Sequence, residues 1–169
     1  ESDHWNPEWV YGHHATEPPK RPEEGYHLTE ALVDRAIEFI QDAHAVAPER
    51  PFFLYFCPGA CHAPHHVPRE WADRYRGKFD MGWDRAREMI LERQKEMGIV
   101  PANTELSPRP EEVQAWDTLS GDEKRLYARM MEVFAGFLTH TDHHIGRLIA
   151  FLEELGELDD TLIFAVSDN

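Results

Sequence analysis

The sequence is poor in cysteine, in basic residues and in long apolar runs. Its 169 residues include two cysteines, and 17 Lys and Arg stand against 32 Asp and Glu, for a formal net charge of −15. Two cysteines are too few for a disulfide framework and leave the redox compartment open. An acidic surface repels phosphate backbones, which argues against nucleic-acid binding but permits binding of a cation.

No apolar run approaches the roughly 20 residues that a membrane-spanning helix needs. The printed sequence begins with ESDHWNPEW, which is not the basic-then-apolar pattern of a secretory leader. We therefore expect a soluble protein. The sequence leaves open whether it works in the cytoplasm or the periplasm, and what its oligomeric state is. Hydrophobic residues make up 41% of the chain, which is enough for a folded core.

Helical periodicity is the main signal of regular structure. Thr29 is predicted as the N-cap of a first helix, which Pro48 ends. Its apolar positions fall on one face: Leu32, Val33, Ala36, Ile37 and Ile40. Further helices are predicted in REWADRYRGKF, in WDRAREMILERQKEMG, and from the capping box SGDE at 120–123 to Leu155. The apolar stripe of the last helix includes Leu126, Met130, Phe137, Leu148 and Leu152.

Two short apolar runs read as strands buried on both faces, FFLYF at 52–56 and TLIFAV at 161–166. Strands that alternate with helices predict an α/β fold, a partial layered domain with a mostly parallel sheet flanked by helices. Residues 1–27 are predicted as an irregular arm and residues 28–169 as the α/β core segment. Because the printed sequence stops directly after the second strand, we expect residues 1–169 to be an internal piece of one larger catalytic domain.

Polar side chains follow both predicted strands. The loop 57–66 comes after the first strand, and Ser167, Asp168 and Asn169 come after the second. Carboxyl ends of parallel strands meet at one edge of a sheet, where ligands collect. The oxygen donors of Asp168 and Asn169 suit Ca²⁺ or Mg²⁺. The alternative is that Asp168 caps a following helix.

The loop at 57–66 also permits a zinc-binding module, with Cys57, Cys61, His62, His65 and His66 as candidate ligands. Structural zinc sites usually draw ligand pairs from two segments, whereas these residues share one loop. Cysteines beside an apolar strand are commonly small buried hydrophobes.

A second histidine pair, His140 and His144, has the i, i+4 spacing of helical metal ligands. Without an HExxH motif, we interpret it as a pair on the surface of its helix.

Three separated blocks resemble the middle of a sulfatase: YHLTEALVDRAIEFI, RPFFLYFCPGACHAPHHVPREWADRYRGKFDMGWD, and RMMEVFAGFLTHTDHHIGRLIAFLEELGELDDTLIFAVSDN. The similarity is to bacterial arylsulfatases of the alkaline-phosphatase-like superfamily. It implies an alkaline-phosphatase-like α/β fold and a hydrolase of small sulfate esters.

The resemblance also implies site residues. The family's His-x-Pro histidine corresponds to His62, which would contact the sulfate group and help to protonate the leaving alcohol. The family's Ser-Asp-Asn sequence ligates calcium, which assigns Asp168 and Asn169 to a Ca²⁺ site. Asn169 stands where related phosphatases commonly carry histidine, which favours a sulfatase over a two-zinc phosphatase.

The family nucleophile is a hydrated formylglycine made from a Cys/Ser-x-Pro-x-Arg motif. No such motif occurs in these 169 residues, and Cys57 does not fit it. The family's upstream aspartate pair and lysines are absent too. The resemblance therefore implies an arylsulfatase whose nucleophile lies upstream, and we expect the 169-residue chain alone to be inactive. Phosphodiester or phosphonate ester hydrolysis is the alternative within the superfamily.

Overall fold

The computed structural model describes residues 3–166, and helices dominate that range. The helices are α1 (Leu28–Val46), α2 (Arg69–Asp73), α3 (Gly82–Glu96) and α4 (Gly121–Leu155). Short 3-10 helices lie at Pro22–Glu24 and Trp116–Thr118. Strand pairing among the described residues is limited to an antiparallel hairpin of β1 (Trp9–Tyr11) and β2 (His14–Thr16). No helix in residues 3–166 has both the length and the apolar character needed to cross a membrane.

The chain forms two compact units, and α4 contributes residues to both. The first unit contains residues 1–66 and 138–169, and the second contains residues 67–137.

The core of the first unit joins one face of α1 to the second half of α4. Its buried members are Val33, Ala36, Ile40, Leu148 and Leu152. These residues belong to the two apolar stripes seen in the sequence, and each fully buried aliphatic side chain contributes about 1.5–3 kcal/mol. The periodicity therefore predicted this contact face correctly.

The start of α1 differs from the prediction. The N-cap is His27, two residues before Thr29, and its imidazole Nδ1 accepts a hydrogen bond from the Thr29 backbone N–H at 3.2 Å. Thr29 is fully enclosed within the first turn. Thr is a more common N-cap residue than His, so the sequence predicts a helix start two residues too late.

The second unit has a small aromatic core. Trp116, Leu119 and Ala128 are buried, and Trp83 packs edge-to-face on Trp116 with ring centroids 4.8 Å apart. The predicted capping box is confirmed, because the Ser120 N–H donates to the Glu123 carboxylate at 2.8 Å.

Two stripe residues of α4 in the second unit were predicted wrongly. Leu126 and Met130 are 57% and 55% exposed.

The predicted parallel sheet is not present in the described residues. Residues 52–56 and 161–166 have no strand pairing. Their side chains are largely exposed, with Phe53 at 92% and Phe164 at 80%. A strand needs a neighbour to satisfy its backbone N–H and C=O groups, and no strand in residues 3–166 pairs with either segment.

Candidate functional site

The loop that follows residues 52–56 presents His62 at the surface. The His62 backbone N–H donates to the Gly59 carbonyl at 2.9 Å, which closes a tight turn. In the side chain, Nδ1 lies 2.7 Å from the Ala63 carbonyl oxygen. A carbonyl can only accept, so Nδ1 carries a proton, and proton exchange with a ligand takes place at Nε2.

Asp168 and Asn169, the predicted calcium ligands, lie outside the described residues. Their closeness to His62 and their role in metal binding therefore stay predictions.

Within the described residues, the candidate zinc ligands of the 57–66 loop do not converge on a common point. Cys57 is exposed, Cys61 is half-buried, and neither forms a disulfide. Among the described residues, three metal-ligating side chains converge at a different place. His66 instead pairs through Nδ1 with the Asp3 carboxylate at 3.1 Å.

Two buried histidines contact the loop from outside it. His27 is 1% exposed, and its Nε2 lies 3.0 Å from the His66 carbonyl oxygen. His4 is 4% exposed and packs on Gly59 so closely that a Cβ at Gly59 would lie 2.4 Å from His4 Nε2. The Leu28 N–H also donates to the His4 carbonyl at 2.8 Å, which ties His4 to the start of α1.

The surroundings of these two histidines lower the pKa of both and so favour the neutral ring. Burial is the largest effect and lowers the pKa of His27 to about 4. Burial also lowers the pKa of His4, and the nearby His66 lowers it further. A neutral imidazole can donate from one ring nitrogen and accept at the other, which is the pattern that His27 shows.

The converging group is Glu30, His140 and His144, with ligand atoms all within 4.8 Å of one another. His140 Nε2 lies 3.2 Å and His144 Nε2 lies 3.7 Å from the same Glu30 carboxylate oxygen. His140 is fully buried and His144 is 7% exposed, so the interpretation of this pair as a surface feature is wrong. The signal was available, because both histidines continue the helical stripe that joins Phe137 to Leu148.

The hydrogen bonds of this group do not suit a metal. The 3.2 and 3.7 Å distances join ligand atoms to one another. Atoms this far apart could share one zinc ion, because zinc–ligand bonds are about 2.0–2.2 Å long. However, Arg147 donates to His144 Nδ1 at 3.0 Å. A guanidinium cannot accept, so neutral His144 carries its proton on Nε2, the atom that faces Glu30. The arrangement is therefore a hydrogen-bonded carboxylate–histidine cluster, with Arg147 also paired to Asp34.

The cluster is also unsuited to calcium. Ca²⁺ prefers six to eight oxygen ligands, whereas two of these three groups offer imidazole nitrogen. The oxygen donors of Asp168 and Asn169 have the chemistry for Ca²⁺.

Comparison with known proteins decides the family. The family model described as Sulfatase matches residues 2–169. The chain belongs to the sulfatase family. An uncharacterized sulfatase of Schizosaccharomyces pombe is 39% identical over 121 residues, which cover 70% of this chain and 22% of that protein.

Two further relatives have narrower names. An arylsulfatase of Klebsiella aerogenes is 30% identical over 74% of this chain and 27% of its own length. An N-acetylglucosamine-6-O-sulfatase of Bacteroides thetaiotaomicron is 26% identical over 99% of this chain and 36% of its own length. This sulfatase chain therefore spans 22% to 36% of the length of these relatives.

Family membership supports the α/β fold class that the sequence predicted. It does not place a parallel sheet within the described residues, where helices and one antiparallel hairpin are found.

Proposed function

We propose that this chain is part of an arylsulfatase-type sulfuric ester hydrolase in which His62 contacts the sulfate group and protonates the leaving alcohol. The observation that carries the proposal is the state of His62. Its ring is exposed, oriented by the Nδ1 contact with the Ala63 carbonyl, and sits in the His62-Ala63-Pro64 sequence that matches the family's His-x-Pro.

The leaving alcohol takes its proton from His62 Nε2. The Ala63 carbonyl holds the Nδ1 proton in either charge state, so protonation of the ring adds the second proton at Nε2. When the sulfate ester is cleaved, negative charge develops on the oxygen of the leaving alcohol. Delivery of a proton to that oxygen helps most when the alcohol is a poor leaving group. The ring orientation thus supports a general acid that works through one defined nitrogen.

Two groups outside the described residues complete this proposal. Asp168 and Asn169 would hold Ca²⁺ together with ligands from the rest of the protein, as their oxygen donors suit. When bound, Ca²⁺ neutralises sulfate oxygens. A formylglycine, expected upstream and absent from these residues, supplies the nucleophile.

A phosphodiesterase or phosphonate hydrolase is the second candidate. The sulfatase family match and the asparagine at position 169 favour sulfate. The names of the relatives do not fix the alcohol half of the substrate, because one is an arylsulfatase and another an N-acetylglucosamine-6-O-sulfatase.

The test compares ester classes in the full-length protein that carries this chain. We expect 4-nitrophenyl sulfate to be hydrolysed at least tenfold faster than 4-nitrophenyl phosphate or its phosphonate analogue. With phenyl sulfate, whose leaving group needs the proton, the substitution His62→Ala should lower kcat by about 10²-fold or more, the scale of a lost general acid. His13→Ala is the matched control, since His13 is an exposed histidine in the hairpin turn. Faster phosphate turnover, or an unchanged kcat in His62→Ala, would refute the proposal.

A further inference from the structure

The segment that carries His62 is held on both sides by residues remote in sequence. Before His62, Gly59 lies against the buried ring of His4. After His62, the His66 carbonyl accepts a hydrogen bond from His27, 39 residues earlier in the chain. Contacts of this kind determine where an exposed loop holds its central side chain.

A single tautomer of His27 serves two structures. The Thr29 N–H donates to Nδ1 at 3.2 Å, so Nδ1 has no proton. The proton of the neutral ring is therefore on Nε2, which donates to the His66 carbonyl at 3.0 Å. The same ring caps α1 and anchors the loop.

His27 cannot easily move away from this position. It is enclosed by Trp5 on one side, at 4.8 Å between ring centroids, and by His140 of α4 on another, at 4.5 Å. His140 in turn is hydrogen-bonded to the Glu30 carboxylate of α1. The donor is therefore fixed to the helical core of the first unit, whereas His62 is exposed.

We infer that His27 is a positioning residue for His62: its Nε2–H holds the His66 carbonyl and thereby sets the place of the His62 ring. This inference rests on the proposed role of His62 in sulfate ester hydrolysis. Rate depends steeply on such placement, because a displacement of about 1 Å can cost about 10²-fold. A general acid needs a supporting hydrogen bond to keep it at the leaving oxygen.

A pair of substitutions separates the two roles of the ring. His27→Asn retains an oxygen close enough to accept from the Thr29 N–H and removes the donor to the loop. His27→Gln places an amide N–H near the former Nε2 and retains the donor. If His27 positions the loop, the Asn variant keeps the helix cap but loses activity, and the Gln variant recovers activity.

The readout is the dependence on the leaving group in the full-length protein. We expect His27→Asn to lower kcat for phenyl sulfate about tenfold, with a smaller loss for 4-nitrophenyl sulfate, since the nitrophenolate needs less protonation. His27→Gln should stay within about threefold of wild type for both. Loss of folded protein alone would reduce turnover of both substrates by the same factor, and that result would overturn the inference.

A double-mutant cycle with His62→Ala completes the test. If His27 acts through His62, adding His27→Asn to His62→Ala should cause no further loss, whereas independent effects would multiply. An active wild type with a leaving-group-dependent loss in His62→Ala, but a normal His27→Asn, overturns this inference and leaves the proposed function standing. A wild type without sulfatase activity removes both.

Discussion

The surroundings of His27 oppose its protonation. Its pKa is lowered to about 4, with burial as the largest cause; His140 and His4 act in the same direction, while the His66 carbonyl and Glu30 favour the charged form. A proton added at Nδ1 would also face the Thr29 N–H and remove the cap of α1. Folding therefore selects the neutral ring.

A pH dependence of stability follows from that pKa. An unfolded histidine binds a proton below about pH 6.5, whereas folded His27 does so only near pH 4. Between these values the unfolded state holds more protons, so stability falls as the pH falls, by at most about 1.4 kcal/mol per pH unit for this group. Urea unfolding of the full-length protein at pH 6.5, 5.5 and 4.5 measures the slope.

His27→Asn provides the comparison, because it retains a cap and removes the titrating group. Its free energy of unfolding should depend less steeply on pH than that of wild type, by about one proton across the window. Equal slopes in the two proteins would contradict the assignment of this dependence to His27.

Which histidines matter could be predicted only in part from the sequence. The distance of His62 from the preceding apolar run and the family resemblance both point to this histidine. His27 was missed, since its importance comes from a contact with His66 39 residues away. The lack of an HExxH motif favoured a surface position for His140 and His144, but they share a helical stripe with Phe137 and are buried.

At the scale of elements, α4 approaches α2 at Gly136 within the second unit. A Cβ added there would lie 2.6 Å from the Ala72 backbone nitrogen and 2.7 Å from its Cα. Backbone atoms cannot rotate away as a side chain can, so we expect Gly136→Ala to destabilise the protein by about 1–3 kcal/mol. Thermal or urea unfolding measures the change.

Gly146 on the same helix is the matched control. Among residues 3–166, no atom of another segment lies within 4 Å of a Cβ built there. Alanine at an exposed helical position has the better helix propensity, so Gly146→Ala should stabilise by about 0.5–1 kcal/mol. Opposite signs for the two glycines are the expected result, and a neutral or stabilising Gly136→Ala would show that the helices do not approach as described.

The helices were predictable because their signals are local. The capping box at Ser120 and the apolar periodicity of α1 and α4 depend on residues within a few turns. The segments at 52–56 and 161–166 show the limit of that logic. Their composition favours strands, but a strand forms only where another strand pairs with it.

At the scale of the whole molecule, those two segments leave large apolar side chains uncovered. Exposure reaches 83% for Tyr55 and 90% for Val166. We propose that strands from the rest of the sulfatase domain cover them, which accords with the 22% to 36% coverage of the relatives.

The purified 169-residue chain should therefore bind a hydrophobic dye such as ANS and hydrolyse no aryl sulfate, while the full-length protein binds less dye and is active. Fluorescence titration and a nitrophenol release assay check the two statements. Turnover of 4-nitrophenyl sulfate by the isolated chain would show that it contains a complete active site.

The shared ring of His27 makes one backbone amide a reporter. The Thr29 N–H donates to Nδ1, and the tautomer that accepts there is the one that donates to the His66 carbonyl. We expect deuterium exchange of this amide in α1 to become faster when the ring adopts the other tautomer and releases the 57–66 loop.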